Sequence, residues 1–122
     1  MALLERTITL DYDVKKEEFK YSTLYGNLIK WYIQNRLIIK AMYWRKSANG
    51  NTHIKIELNI LLPISQTFIM RAYLRDDVYR VVLDMARFYE GKEVNRLWDR
   101  KYKNGKLRIA GKWSKMNPYH SS

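Results

Sequence analysis

Residues 37–63, LIIKAMYWRKSANGNTHIKIELNILLP, decide the fold. Asn49-Gly50 sits at the centre of the SANGN run, 47–51, and such a pair between apolar stretches is the strongest short-range hairpin signal, both positions being expected at positive φ. One strand is therefore expected from about Leu37 to Lys46. Its partner runs from Thr52 to Leu61, with Ile54, Ile56, Leu58 and Ile60 on one face, and Pro63 ends it.

Upstream, residues 5–13 (ERTITLDYD) place Ile8, Leu10 and Tyr12 in alternation with Thr7, Thr9, Asp11 and Asp13, the period of a half-buried strand. Helical spacing begins near Lys16 and runs through Phe19, Leu24, Leu28, Ile29, Tyr32 and Ile33 to about Asn35. Asp13 or Ser22 is a suitable cap for its start. Downstream, residues 66–74 (QTFIMRAYL) fit a third meander strand or the start of a helix, and the strand is preferred. Asp76 and Asp77 then suit the N-terminus of a helix over 77–90, because carboxylates accept its free amides and favour its dipole. Val78, Val81, Val82, Met85, Phe88 and Tyr89 form its apolar stripe, and Gly91 its stop. EVNRLWDRKY reads as a short helix, Asn104-Gly105 as a second turn, and Lys106 to Trp113 as a last strand or hairpin arm.

The expected fold class is α+β, an antiparallel sheet with helices packed on one face. If 66–74 is helical, the order becomes βαββαβ, the ferredoxin-like arrangement. A single domain over 1–113 is expected, followed by a flexible C-terminal tail, 114–122. The chain of 122 residues, 47% of them apolar, is long enough for one core without disulfides or metal. Cysteine is absent, which excludes structural disulfides and thiolate metal sites and suits a cytoplasmic setting. MALLERTITL has no long apolar core of a signal peptide, and no run approaches the ~18 apolar residues of a membrane span.

Charge points to a partner. The net charge is +11, with 23 basic and 12 acidic residues, and such a field concentrates polyanions. The last 23 residues carry seven Lys or Arg and no acid: Arg100, Lys101, Lys103, Lys106, Arg108, Lys112 and Lys115. Tyr102, Trp113 and Tyr119 are interleaved with them. Cations release counterions from a phosphate backbone, and aromatic faces stack on unpaired bases. Trp44, Arg45 and Lys46, just before the Asn49-Gly50 turn, extend this expected nucleic-acid-binding set. Sequence-tolerant DNA or RNA binding follows, by a homodimer or within a larger nucleoprotein assembly, and with no membrane partner.

Two further classes compete. Asp11 and Asp13 share one strand face, and His53, Lys55 and Glu57 share another. If the two strands are neighbours, Asp11, Asp13 and Glu57 form an oxygen-rich set able to hold Mg²⁺ or Mn²⁺ in a metal-dependent nuclease. Four Trp and ten Tyr exceed the needs of a small core, so exposed aromatics could instead serve a protein-interaction module.

Tyr89-Glu90-Gly91-Lys92 spells Y-x-x-K after a His-bearing strand and resembles rolling-circle initiators of the HUH family, which cut single-stranded DNA through a tyrosine ester. That family uses two His separated by one hydrophobic residue as metal ligands. The run here is His53-Ile54-Lys55, and an ammonium group has no lone pair to offer. Tyr89 is accordingly expected to face the core. No Gly-rich phosphate loop, H-E-x-x-H or G-x-S-x-G is present.

Overall fold

The computed structural model describes residues 4–116; Tyr119 and His120 lie outside them. Ten elements follow in order. β1 spans Leu4–Lys15, α1 Lys16–Phe19, α2 Thr23–Gln34, β2 Ile39–Lys46 and β3 Asn51–Pro63. They are followed by α3 over Ile64–Tyr73, α4 over Val78–Tyr89, β4 over Arg100–Lys103, β5 over Lys106–Ile109 and β6 over Ser114–Lys115. The fold is α+β. A four-stranded antiparallel sheet has the order β1-β3-β2-β6, and β4 and β5 form a separate two-stranded ribbon. A ferredoxin-like sheet would set its last strand beside β1. Here β6 pairs with β2, at the opposite edge.

The sheet's period of two builds the core. Ile8, Leu10, Tyr12, Met42, Ile54, Ile56 and Leu58 are buried on one face. Phe19 of α1, Leu28 of α2 and Leu74 after α3 close over them. Ser22 starts α2, its hydroxyl accepting from Tyr25 N at 3.2 Å, so the expected helix from Lys16 is two helices broken at residues 20–22. Among the described residues no helix is long and apolar enough to cross a membrane.

Residues 66–74 are not a strand but most of α3. Ile64, Thr67, Phe68 and Arg71 are buried, at the i, i+3, i+4, i+7 positions of one helix face. Arg71 occupies an apolar position in that pattern, which hid the period from hydropathy. Two of its guanidinium nitrogens are held by carboxylates, Nε by Asp76 Oδ2 and Nη1 by Asp84 Oδ2, each at 2.8 Å, while Nη2 is buried without a hydrogen-bond partner among the described residues. Asp77 caps α4, while Asp76 is buried in this network. The α4 stripe is only partly used. Val81 and the half-buried Phe88 pack against Phe68 and Ile64, whereas Tyr89 is 91% exposed rather than core-facing.

The tail expected from Ser114 begins instead with β6. Met116 N donates to Met42 O at 2.8 Å, and the Met116 side chain joins the core. The short helix expected of EVNRLWDRKY, 93–102, does not form: 91–99 is irregular, and Arg100, Lys101 and Tyr102 belong to β4.

β1 is an edge strand, and side chains occupy its free backbone groups. Thr9 N donates to Asn95 Oδ1 at 2.9 Å, Asn95 Nδ2 to Thr7 O at 2.5 Å and Asp11 N to Asp76 Oδ1 at 2.8 Å. Arg80 donates to Thr9 O at 3.1 Å. An open edge is a template for pairing with other chains. Asn95→Ala removes the carboxamide clip, and a loss of ~2 kcal/mol is expected from several net hydrogen bonds of ~1 kcal/mol each. Chemical denaturation measures that loss. Sedimentation reads the greater self-association expected of an unblocked edge; a variant as stable as the parent and no more self-associated would show that Asn95 neither stabilises the fold nor blocks the edge.

Candidate nucleic-acid interface

The sheet face away from the core helices carries rows of side chains set by register. Asp11, His53 and Arg45 are directly opposed across β1, β3 and β2. The next row is Thr9, Lys55, Tyr43 and Lys115, crossing from β1 to β6. Glu57 stands opposite Thr7, four residues from His53, which places it ~13 Å along the strand. Asp13 lies beyond a register shift, where it accepts from Asn51 Nδ2 at 2.8 Å. Asp11, Asp13 and Glu57 therefore do not converge. Among the described residues no cluster of three His, Cys, Asp or Glu is placed to hold a metal ion.

Alternation also separates Trp44 from Arg45. Trp44 points to the helix face, 6.1 Å from Phe19 and 6.2 Å from Tyr25 between ring centroids, with Lys16 Nζ 4.3 Å above its ring. It is half-buried there and offers no stacking surface beside Arg45. Arg45 is only 4% exposed. Its Nε donates to His53 Nδ1 at 3.0 Å, Nη1 to Asp99 Oδ1 at 2.7 Å and Nη2 to Trp98 O at 3.2 Å. Arg45 thus anchors the segment that leads into the ribbon and is not free for phosphate. Trp113 is half-buried between Arg45, at 4.4 Å, and Lys55, at 4.6 Å. Lys46 stays exposed, 3.6 Å from Glu17, and its carbonyl accepts from Gly111 N at 2.8 Å. The turn beside it has Gly50 alone at positive φ (91°), with Ser47 N donating to Asn51 O. This is a type I turn closed by a glycine bulge, not the two-residue turn expected of Asn49-Gly50.

The β4–β5 ribbon is different in kind. Asn104 and Gly105 have φ of 53° and 73°, as a type I′ turn requires. Every residue of both strands is exposed. The register pairs Lys101 with Arg108 and Lys103 with Lys106. Directly opposed residues share a face, so four cations line one side. Arg100, Tyr102, Leu107 and Ile109 line the other. Among the described residues none of these five cations makes an ion pair. Lys112 and Lys115, both exposed, extend the charge toward the sheet.

Between the ribbon's foot, the open sheet face and α4 lies a cleft of about 290 Å³. Asp11, His53, Tyr79, Arg96, Trp98 and Lys101 are among its walls. Arg80 holds its α4 side through Asp76 at 2.7 Å and Thr9. Sequence reasoning missed Arg80, Arg96 and Trp98, since nothing local ties them to a strand more than 20 residues away. The His53 tautomer is set by Arg45: Nδ1 accepts, so Nε2 carries the proton, 3.7 Å from Asp11 Oδ1. Burial, then the Arg45 and Arg80 charges, lower the His53 pKa to about 4. Burial raises that of Asp11, with Arg80 opposing. The Arg45 hydrogen bond lowers that of Asp99.

A pH dependence follows. Unfolded His53 titrates near 6.5 and folded His53 near 4. Between those values the unfolded chain binds the extra proton, so stability falls as pH drops from 6.5 to 4 and is full above 6.5. The size is ~3 kcal/mol. Asp11, whose folded pKa is raised, acts in the opposite direction at the acid end. Comparing His53→Gln with the parent by urea melts isolates the histidine: the difference between the two proteins should change by ~3 kcal/mol between pH ~7 and ~4. Parallel pH profiles would show that His53 is not held neutral.

No protein-family model, curated protein or solved structure matches this chain.

Proposed function

We propose that this protein binds nucleic acid through the β4–β5 ribbon and the cations beside it, gripping phosphates rather than cleaving them. One observation carries this: four cations stand in two directly opposed like-charge pairs on one exposed ribbon face. Such pairs destabilise a ladder, and a two-stranded ribbon with no core on either side is marginal alone. A polyanion laid along that face removes the repulsion and gains counterion release. Tyr102, 75% exposed on the other face, is free to stack on an unpaired base. Lys55, Lys112 and Lys115 continue the positive track across the open sheet. The contacts are to backbone, so tolerance of sequence is expected along the ribbon.

The experiment is binding of a labelled single strand, a duplex and an RNA hairpin across ~50–200 mM salt, with the same samples run on a denaturing gel. Affinity should fall steeply with salt while the strands stay intact. No binding to any of the three would end the proposal, and strand cleavage would replace it with the nuclease reading.

A further inference from the structure

The ribbon leaves the cleft at its foot unexplained. The cleft is at the small end of ligand sites, near the size of one nucleotide. Its walls are mixed in charge: Asp11, Asp77 and Asp84 face it together with Arg80, Arg96 and Lys101. Asp77 and Asp84 are committed to backbone amides and arginines. Asp11 is not. Its carboxylate accepts no hydrogen bond among the described residues, and His53 Nε2 lies beyond bonding distance at 3.7 Å. Asp11 is a partly exposed acceptor on the β1 edge strand, its side chain 37% exposed at the cleft and open to a donor from a ligand. Trp98, which lines the same cleft, is 61% exposed, its backbone carbonyl held by Arg45 and its ring covered by Arg96 at 4.8 Å. An exposed aromatic face and an acceptor without a hydrogen bond, lining one cleft, suit a flat, amine-bearing ring rather than a phosphate, which Asp11 repels.

We propose that the cleft seats one unpaired nucleobase bearing an exocyclic amine, Asp11 accepting from that amine and Trp98 stacking on the ring, with Lys101 joining cleft to ribbon. This rests on the nucleic-acid reading above and adds base selectivity to it. Cytosine presents its amine where uracil presents a carbonyl oxygen, so a carboxylate there admits one and repels the other. Lys101 lines both cleft and ribbon face, so a strand on the ribbon passes the cleft mouth.

CMP and UMP share sugar and phosphate, and their comparison isolates the base. The protein is titrated with each to ~10 mM, following the indole N–H signal of Trp98. CMP should bind about tenfold tighter than UMP, a discrimination of the size one charged contact to a base edge provides. Asp11→Asn, which offers both a donor and an acceptor, should erase the difference, and Trp98→Ala should weaken both ligands. Equal affinities, a CMP preference that survives Asp11→Asn, or no shift with either nucleotide would each overturn the proposal. Strand binding across salt is read separately on the same protein. Its failure alongside an intact CMP preference would count against the ribbon and still support the cleft.

Discussion

Arg71→Met is expected to lower stability by ~3–5 kcal/mol, a large part of the ~5–15 kcal/mol typical of a small domain. The side chain is fully buried, and its guanidinium holds both Asp76 and Asp84 at 2.8 Å. Methionine fills similar volume but leaves two buried carboxylates short of a cation. Arg80 at 2.7 Å and Arg87 at 3.6 Å still reach them, which keeps the loss within that range. The consequences travel outward. Asp76 also accepts from Asp11 N, and Asp84 from Asn95 N at 3.0 Å, so the β1 edge and the cleft wall loosen with the network. Arg71→Lys keeps the charge but not the fork, and an intermediate loss is expected. Urea denaturation of the three proteins measures it. A methionine variant as stable as the parent would mean that the buried ions contribute no more than an apolar core would.

Replacing Lys101, Lys103, Lys106 and Arg108 together by alanine is expected to weaken strand binding a hundredfold or more at ~50 mM salt. The slope of log affinity against log salt should fall by ~3–4, about one per lost phosphate contact. Removing opposed like charges does not weaken the ladder, so the ribbon should stay folded. Backbone amide shifts of β4 and β5 verify this, and the affinity loss then belongs to the contacts. An unchanged slope would place the phosphate contacts elsewhere on the protein. Lys46→Ala is the comparison: it sits off the ribbon, 3.6 Å from Glu17, and should alter the slope by no more than ~1.

Local signals in the chain were legible wherever the physics is local. The alternation of Ile8, Leu10 and Tyr12 against Thr9 and Asp11 marks β1, and that of Ile54, Ile56 and Leu58 marks β3. The start of α4 at the Asp76-Asp77 pair and the basic run from Arg100 needed only neighbouring residues to be read, although the cap is Asp77 and Asp76 is drawn into the Arg71 network. α3 was not legible because a charged residue holds a buried helix position, and only carboxylates 5 and 13 residues further on make that tolerable. Trp44 and Arg45 were grouped as adjacent in sequence, but strand geometry sends neighbours to opposite faces.

The sequence by itself determined the α+β class, the strand faces, the β4–β5 turn at Asn104-Gly105 and a concentrated positive charge. Each of these is set by backbone preference or side-chain period within a few residues. Only the tertiary structure decided what meets what. The β1–β3 register put Asp11 against His53 and carried Glu57 away, because pairing offset depends on burying a whole strand face rather than on any one residue. Arg45 became an anchor and Asn95 a clip through contacts to residues 54 and 86 positions away. Those pairings arise only when the core closes, since the entropy of joining distant segments is offset by burial elsewhere.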